Sequence, residues 1–287
     1  MTPPAAPLLE SDDAPHEASD RTARILAFRP VPAPYYRSPD GQVVLYHGDS
    51  LDVLPRAELP GAVDVVFADP PYFLSNGGTT CQSGRRVSVH KGTWDRLVSI
   101  DEMHAFNRRW LATVQGLLSE DGTVFVSGTQ HVIHSVGFAM QQLGFKPLND
   151  ITWEKPNPPP NLSCRYFTHS TETVLWAARD QRSRHTFDYQ AMRRENGGTQ
   201  MKTVWQMTAP GKAEKVHGRH PTQKPLSLVS RCIRAATAEG QLVADPFVGS
   251  GTTAVASAQL GRRFVGCDMD EGYLEIAAKR IDDVYGW

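Results

Sequence analysis

From position 42 onward, apolar residues recur in two alternating rhythms. Short runs dense in Val, Ile, Leu and aromatic residues read as strands: Gln42–His47, Val63–Ala68, Thr123–Ser127, Ile151–Glu154, Thr173–Ala177, Gln241–Ala244 and Arg263–Cys267. Between them, apolar positions three and four apart predict helices. Phe106, Trp110, Val114 and Leu117 share one helical face behind the capping-box tetrapeptide Ser99-Ile-Asp-Glu102. A short helical turn is expected over 49–54. Longer helices are expected over 131–142, stopping at Gly144, over 225–238, opened by Pro225, and over 251–260 and 271–281. Strands alternating with helices in this way imply an α/β fold, with a mainly parallel sheet covered on both faces.

Three stretches fit no such unit. Residues 1–34 are rich in Pro, Ala, Asp and Ser and read as a disordered N-terminal tail. Residues 75–96 read as a mobile loop, and about 180–219 as an insertion; long loops inside a compact domain are usually functional. Charge sharpens the interest in the last two. From Arg179 to Arg219 nine Lys/Arg face four Asp/Glu, and from Ser75 to Arg96 four face one. Together these segments are +8, leaving −9 for the remainder of a chain whose net charge is −1. Two local basic patches on a near-neutral protein suit a strand-binding face.

Other classes recede. No run approaches the roughly 18 apolar residues of a membrane helix. The acidic, proline-containing start has no secretory pattern, so a cytoplasmic location is expected. Four scattered cysteines without C-x-x-C spacing argue against a metal site or a disulfide framework.

Candidate chemistry lies at the strand ends. Asp245-Pro-Phe-Val-Gly249-Ser-Gly251-Thr252 follows a strand and opens a helix. Glycines there admit a ligand close to the backbone, and free helix-start N–H groups can hold a carboxylate. Asp268 stands 23 residues beyond Asp245, at the end of the next strand, where an acid can accept both ribose hydroxyls. The pattern is neither a P-loop, which needs G-K-[ST], nor a full G-x-G-x-x-G, since position 254 is Ala. Nucleoside binding is therefore expected without a phosphate cradle.

Asp69-Pro70-Pro71-Tyr72 also follows an apolar strand and so lies where open α/β sheets bind ligands. An aromatic amine is a poor nucleophile because its lone pair is delocalised into the ring. A carboxylate (Asp69) and a backbone carbonyl (Pro70) accepting its two N–H bonds free that lone pair for attack on a sulfonium methyl. The prolines stiffen the turn, and Tyr72 offers a stacking face worth about 1–3 kcal/mol per base. Positioning of the two reactants carries most of such a rate, with no metal required.

The strings D-P-P-Y and D-P-F-V-G-S-G together resemble the amino-methyltransferases of DNA. Their order here, catalytic motif before cofactor motif, is that of the beta group. Asp69 to Gly78 followed by Lys91-Gly-Thr-Trp-Asp95 is similar to adenine methylases of the DpnA type, and Gly48-Asp49-Ser-Leu-Asp-Val-Leu54 and His220-Pro-Thr-Gln-Lys-Pro225 resemble two further family motifs. The resemblance covers about residues 42–283. It implies a Rossmann-like, seven-stranded, mostly parallel sheet of the class I methyltransferase kind, spanning 35–287 with permuted motif order. It implies S-adenosylmethionine as cofactor and DNA, double-stranded or also single-stranded, as partner. It leaves open a homodimer and a cognate restriction endonuclease.

Transferred residue by residue, Asp69, Pro70, Pro71 and Tyr72 would hold the target amine and base. Phe247, Gly249 and Gly251 would wrap the methionine portion, with Asp268 on the ribose and Asp49 near the cofactor's adenine; Asp69, Asp245, Ser250 and Thr252 would also belong to the cofactor site. Thr222 and Lys224 would sit by the cofactor carboxylate. Residues 180–219 become the target-recognition region. Arg182, Arg184, Arg193, Arg194 and Lys202 there, with Arg85, Arg86 and Lys91 in the loop after the catalytic turn, would meet DNA. Tyr189 and Trp205 serve either stacking or a small core.

Cytosine-N4 methylases more often carry Ser at the position of Asp69, so adenine N6 is the expected target and cytosine N4 the alternative. RNA and protein-glutamine methylation are associated with N-P-P-Y and the reverse motif order. A nicotinamide oxidoreductase would need a phosphate-binding glycine motif near the start of the sheet. A non-catalytic DNA-binding module would show damage to the catalytic tetrapeptide or to the cofactor glycines, and both are intact.

Overall fold

The computed structural model describes residues 30–73, 79–82, 85–88 and 99–286. The expectations for residues 1–29, for Lys91 and for most of 75–96 lie outside them. The chain divides into two units, Met1–Val31 and Pro32–Trp287, and the second carries every element named below.

Eleven strands are present among the described residues: β1 (Tyr36–Arg37), β2 (Val43–His47), β3 (Val63–Ala68), β4 (Thr79–Gln82), β5 (Arg85–Ser88), β6 (Leu118–Gly128), β7 (Lys146–Glu154), β8 (Thr171–Ala178), β9 (Val204–Gln206), β10 (Leu242–Asp245) and β11 (Arg263–Asp268). Nine form one sheet in the order β1-β2-β11-β10-β3-β6-β8-β7-β9. The seven strands expected from the apolar runs make its centre, and β1 and β9 add one short edge strand each. The central run β2-β11-β10-β3-β6 is parallel throughout, and β8 runs antiparallel to both β6 and β7. Within residues 75–96, β4 and β5 pair as a separate antiparallel ribbon in which Arg85 and Arg86 open the second strand.

Side chains on successive strand positions face opposite ways, and here both directions are buried. Leu45, Phe67, Val243 and Phe264 join one core, while Tyr46, Val66, Ala244 and Val265 join the other. That explains apolar runs without polar alternation. The first core is covered by the helices α5 (Leu226–Ala236), α6 (Thr252–Gln259) and α7 (Glu271–Tyr285). The second is covered by α1 (Ser50–Val53), α2 (Ile100–Leu117) and α3 (Ile133–Gln142). Helix α2 begins with the expected capping box, in which Ser99 accepts from the Glu102 amide and Glu102 accepts from that of Ser99. The remaining α-helix among the described residues, α4 (Tyr189–Glu195), lies in the 180–219 stretch.

That stretch is built onto the main body. Trp205 in β9 is buried, and β9 pairs with β7 in parallel. Glu195 of α4 binds Arg231 and Arg234 of α5, each at 2.6 Å. Trp205 is thus core, whereas Tyr189 is exposed.

Helices α6 and α7 meet at Gly251. Its φ is +78°, and a Cβ there would lie 2.6 Å from the Cβ of Ala277. Both facts demand glycine. Gly251→Ala should therefore cost about 2–4 kcal/mol from the left-handed backbone and the overpacking together. The urea midpoint should fall with m unchanged; an unchanged midpoint would remove this packing role.

Candidate active site

Four strands end on an aspartate or are followed within two residues by one at the carboxyl edge of the sheet. β3 leads into Asp69, β10 and β11 end on Asp245 and Asp268, and β2 is followed by Gly48 and Asp49. Because these strands are parallel neighbours, residues from three distant parts of the sequence converge. They line one cavity of about 510 Å³, with Tyr72, Phe247 and Lys224 also on its wall.

On this wall, buried Lys224 joins the catalytic turn. Its ammonium donates to Asp69 Oδ2 at 2.5 Å and to the Thr222 carbonyl at 3.1 Å. The Tyr72 hydroxyl lies 2.7 Å from Asp69 Oδ1 and 3.3 Å from Glu172 Oε2. Glu172, at the start of β8, accepts from Lys155 at 2.5 Å and lies 3.7 Å from Lys224. Two carboxylates and two ammonium groups thus form a charge-balanced cluster. Burial pushes the Asp69 carboxyl up, against the pull of Lys224. Burial alone would raise Glu172 as well, but Lys224 and Lys155 outweigh it and hold that carboxyl below its usual range. Burial would lower Lys224; Asp69 and Glu172 prevail and keep it firmly protonated. Phe73, next in the chain, has φ +55° and packs edge-on against Phe106 of α2. Phe106 and Trp110 in turn contact Phe247, so one helix braces both halves of the site.

The cofactor loop is held by its own acids. Asp245 accepts from the Phe247 amide at 2.8 Å and the Thr253 hydroxyl at 2.6 Å. Burial pushes it up to about 7, helped by Asp69 and Asp268. Asp268 accepts from the amides of Gly249 at 2.7 Å and Asp270 at 2.9 Å. Asp49 caps α1 by accepting from the Leu51 amide. Gly249, φ +50°, faces His220, whose ring stands edge-on to Tyr273. Ser250 and Thr252 are gripped by Arg280 of α7, which donates to the Ser250 carbonyl at 2.5 Å and to the Thr252 hydroxyl at 3.1 Å.

Several expectations need correcting. Gly251 is not on the cavity wall, because α7 fills the space behind it. Lys224 lines the cavity, but its charge is drawn to Asp69 rather than set aside for a cofactor carboxylate; Thr222 lies beside it. Arg182 and Arg184 follow β8, whose direction carries the chain roughly 25 Å away from the catalytic edge. The Arg184 amide donates to Asp121 and the Ser183 hydroxyl to the Glu120 carbonyl, near the start of β6. These two arginines therefore stand at the edge opposite Asp69. Arg193, Arg194 and Lys202 are exposed, and Arg193 donates to the Gly198 carbonyl. Glu172, Lys155, Arg280, His220 and Tyr273 were not singled out by sequence. Only the H-P-T-Q-K-P string offered a signal for His220.

Fold and site together define a Rossmann-like methyltransferase. The chain belongs to the DNA methylase family, whose model matches residues 63–279. It is 52% identical over 250 residues to the Type II methyltransferase M2.DpnII of Streptococcus pneumoniae, covering 87% of this chain and 92% of that protein. It is 43% identical over 251 residues to M2.MboI of Moraxella bovis, covering 88% and 92%. Among solved structures it resembles the M1.HpyAVI–SAM complex (TM-score 0.60, 23% identity, 83% of this chain and 99% of that one). It also resembles the cytosine-N4-specific PvuII DNA methyltransferase (TM-score 0.65, 20% identity, 88% and 94%). At such identities the structures speak for the fold alone. Among the described residues no helix is long and apolar enough to cross a membrane.

Removing one member of the buried cluster strands the others. Lys224→Met should cost about 3–5 kcal/mol, because Asp69 and Glu172 lose their shared cation. Denaturant unfolding checks this, and a loss below about 1 kcal/mol would mean that water replaces the ammonium.

Proposed function

We propose that this chain transfers a methyl group from S-adenosylmethionine to the N6 amine of adenine, in a base turned out of DNA. The observation that carries this reading is Asp69-Pro-Pro-Tyr72 at the end of β3, on the wall of a cavity shared with Asp49, Asp245 and Asp268. The residues present fit the cofactor. Its sulfonium and ammonium make it a net cation, and the cavity is lined by carboxylates, which disfavour a phosphate-bearing ligand. Asp268 suits the ribose, Asp49 the adenine end, and Asp245 with Phe247, Gly249 and Ser250 the methionine portion. When bound, the cofactor supplies an electrophilic methyl group.

The chain's own residues do the rest. Asp69 and the Pro70 carbonyl accept the two N–H bonds of the target amine, and Tyr72 packs against the base. Lys224 and Tyr72 already occupy the Asp69 oxygens, so the amine enters by exchange. Glu172, 3.7 Å from Lys224, receives the released ammonium. Asp69, pushed up by burial, takes the proton that the nitrogen sheds on methylation. Adenine is favoured over cytosine because the cytosine-N4 methylases that the motif resembles more often carry Ser where this chain has Asp69. Arg85, Arg86 and Lys91 after the catalytic turn are assigned to the DNA backbone, and sequence selection to residues 180–219 without Arg182 and Arg184. The Type II names of the relatives support a restriction–modification setting with a cognate endonuclease.

Mass spectrometry of nucleosides from DNA incubated with the protein and labelled S-adenosylmethionine should show N6-methyladenine. Asp69→Ala should lose the label while cofactor affinity stays within about two-fold. N4-methylcytosine would overturn the base, and no label in DNA despite bound cofactor would overturn the substrate.

Asp245 sets a pH dependence. In the free protein its carboxyl is pushed up to about 7; a cofactor ammonium held near it would pull it down, so that cofactor binding would expel a proton. Affinity should rise with pH up to about 7 and level off above. Calorimetry in buffers of different ionisation enthalpy measures the proton released; none at pH 6, or an unchanged profile in Asp245→Asn, would refute the coupling.

A further inference from the structure

The segment joining β7 to β8, residues 155–170, leaves the sheet at the catalytic edge. Glu154 pairs with Thr171, the Lys155 amide donates to the Ser170 carbonyl, and the Lys155 side chain and Glu172 belong to the cluster that holds Tyr72. The segment is therefore anchored at the catalytic turn. Its far end carries exposed apolar side chains: Phe167 is 96% exposed, Tyr166 61% and Leu162 58%. Exposed aromatics at this density ask for a partner.

The turn that presents them is built. Asn161 accepts from the Ser163 amide and hydroxyl, and its side-chain amide donates to the Tyr166 carbonyl at 2.5 Å. The Tyr166 ring leans on His169. Three consecutive prolines, 158–160, stiffen the approach. From 155 to 170 the charged residues are Lys155 and Arg165, with no Asp or Glu. Lys155 is neutralised by Glu172, which leaves Arg165 as the cation of the tip. An aromatic tip with one arginine on a stiff, acid-free stalk anchored at the catalytic turn matches a nucleic-acid strand, where every base offers a stacking face and every phosphate a negative charge.

We infer that Phe167, supported by Tyr166, stacks into the DNA beside the extruded target base, with Arg165 on the adjoining phosphate. This inference rests on the methylation reading above. Turning a base out of a duplex leaves a gap in the stack, and an apolar wedge that fills it favours the extruded state. Tyr72 then receives the base inside the site while Phe167 holds open the place it left. The segment thereby supplies DNA contact at the catalytic edge, which Arg182 and Arg184 do not.

The test uses a short duplex carrying the site methylated by the unaltered protein, and a second duplex in which the target base faces an abasic position. Phe167→Ala should lower kcat/KM and affinity on the paired duplex about ten-fold or more. Most of the loss should return on the abasic duplex, where extrusion is easier. Phe167→Trp should restore the paired duplex, and cofactor affinity should not move. Phe167 is almost wholly exposed, so truncation leaves the core intact. Equal losses on both duplexes would overturn the wedge. Unchanged DNA kinetics with altered sedimentation would instead make the tip a contact with a second copy of the chain. If the unaltered protein labels no DNA, the methylation reading fails and takes this inference with it; label in single strands alone sinks the inference and leaves that reading standing. An active parent with an indifferent Phe167→Ala sinks the inference alone.

Discussion

The site depends on one buried ion pair. Lys224 and Asp69 are 155 positions apart, and their 2.5 Å contact ties the turn after β3 to the segment that opens α5. Neither charge is stable alone at this depth. Together with Glu172 and Lys155 they form a neutral set, and neutrality is what makes burial of four charged groups tolerable. Such clusters add little net stability compared with apolar packing, but removing a member is costly. Their value lies in geometry. Asp69 and Tyr72 are fixed with respect to each other before any substrate arrives, so little reorganisation is left for the reaction itself.

The sheet explains why the order of motifs along the chain is free to vary. β3 and β10 are hydrogen-bonded neighbours although one belongs to the first third of the sequence and the other to the last. From β10 the order continues through β11 and β2 on one side, and from β3 through β6 on the other. The cavity lies at this switch point, outside the carboxyl ends, where helices on opposite faces leave a crevice. What the chemistry requires is that a strand ending in Asp69 lies next to one ending in Asp245. Any chain order that lays those strands side by side in parallel will do. Phe106 and Trp110 from α2 then lock the two turns together through Phe247.

Seven strands and the main helices were legible because burial on both faces demands unbroken apolar runs, and because caps such as Ser99 and Glu102 act within four residues. The four aspartates were legible for a related reason: each ends or follows such a run. What could not be read is whatever depends on distant segments meeting. Glu172 looks like one polar residue at the start of a strand until β8 is placed beside β6. Arg280 sits in an amphipathic helix, and only the fold shows it gripping Ser250. β9 is three residues long with two of them exposed, too short to show a period. Arg182 and Arg184 were grouped with a DNA face by charge alone, yet charge carries no direction. The antiparallel course of β8 puts them at the edge opposite Asp69.

The cluster also resolves a difficulty in methylating a base that must first leave a duplex. Between encounters, a carboxylate aimed into a cavity would be costly if its oxygens lacked donors. Lys224 and Tyr72 satisfy Asp69 in that interval. The target amine brings two N–H donors of its own, so one resident donor becomes surplus as the base arrives. Were Asp69 the only acid nearby, the displaced ammonium would have to return to water or remain unpaired. Glu172 removes that obstacle, since it already interacts with Tyr72 and Lys155 and lies within reach of Lys224. Exchange then trades one charged contact for another inside the same neutral set. A second buried carboxylate that touches no substrate is thereby accounted for by the energetics of letting the first one go.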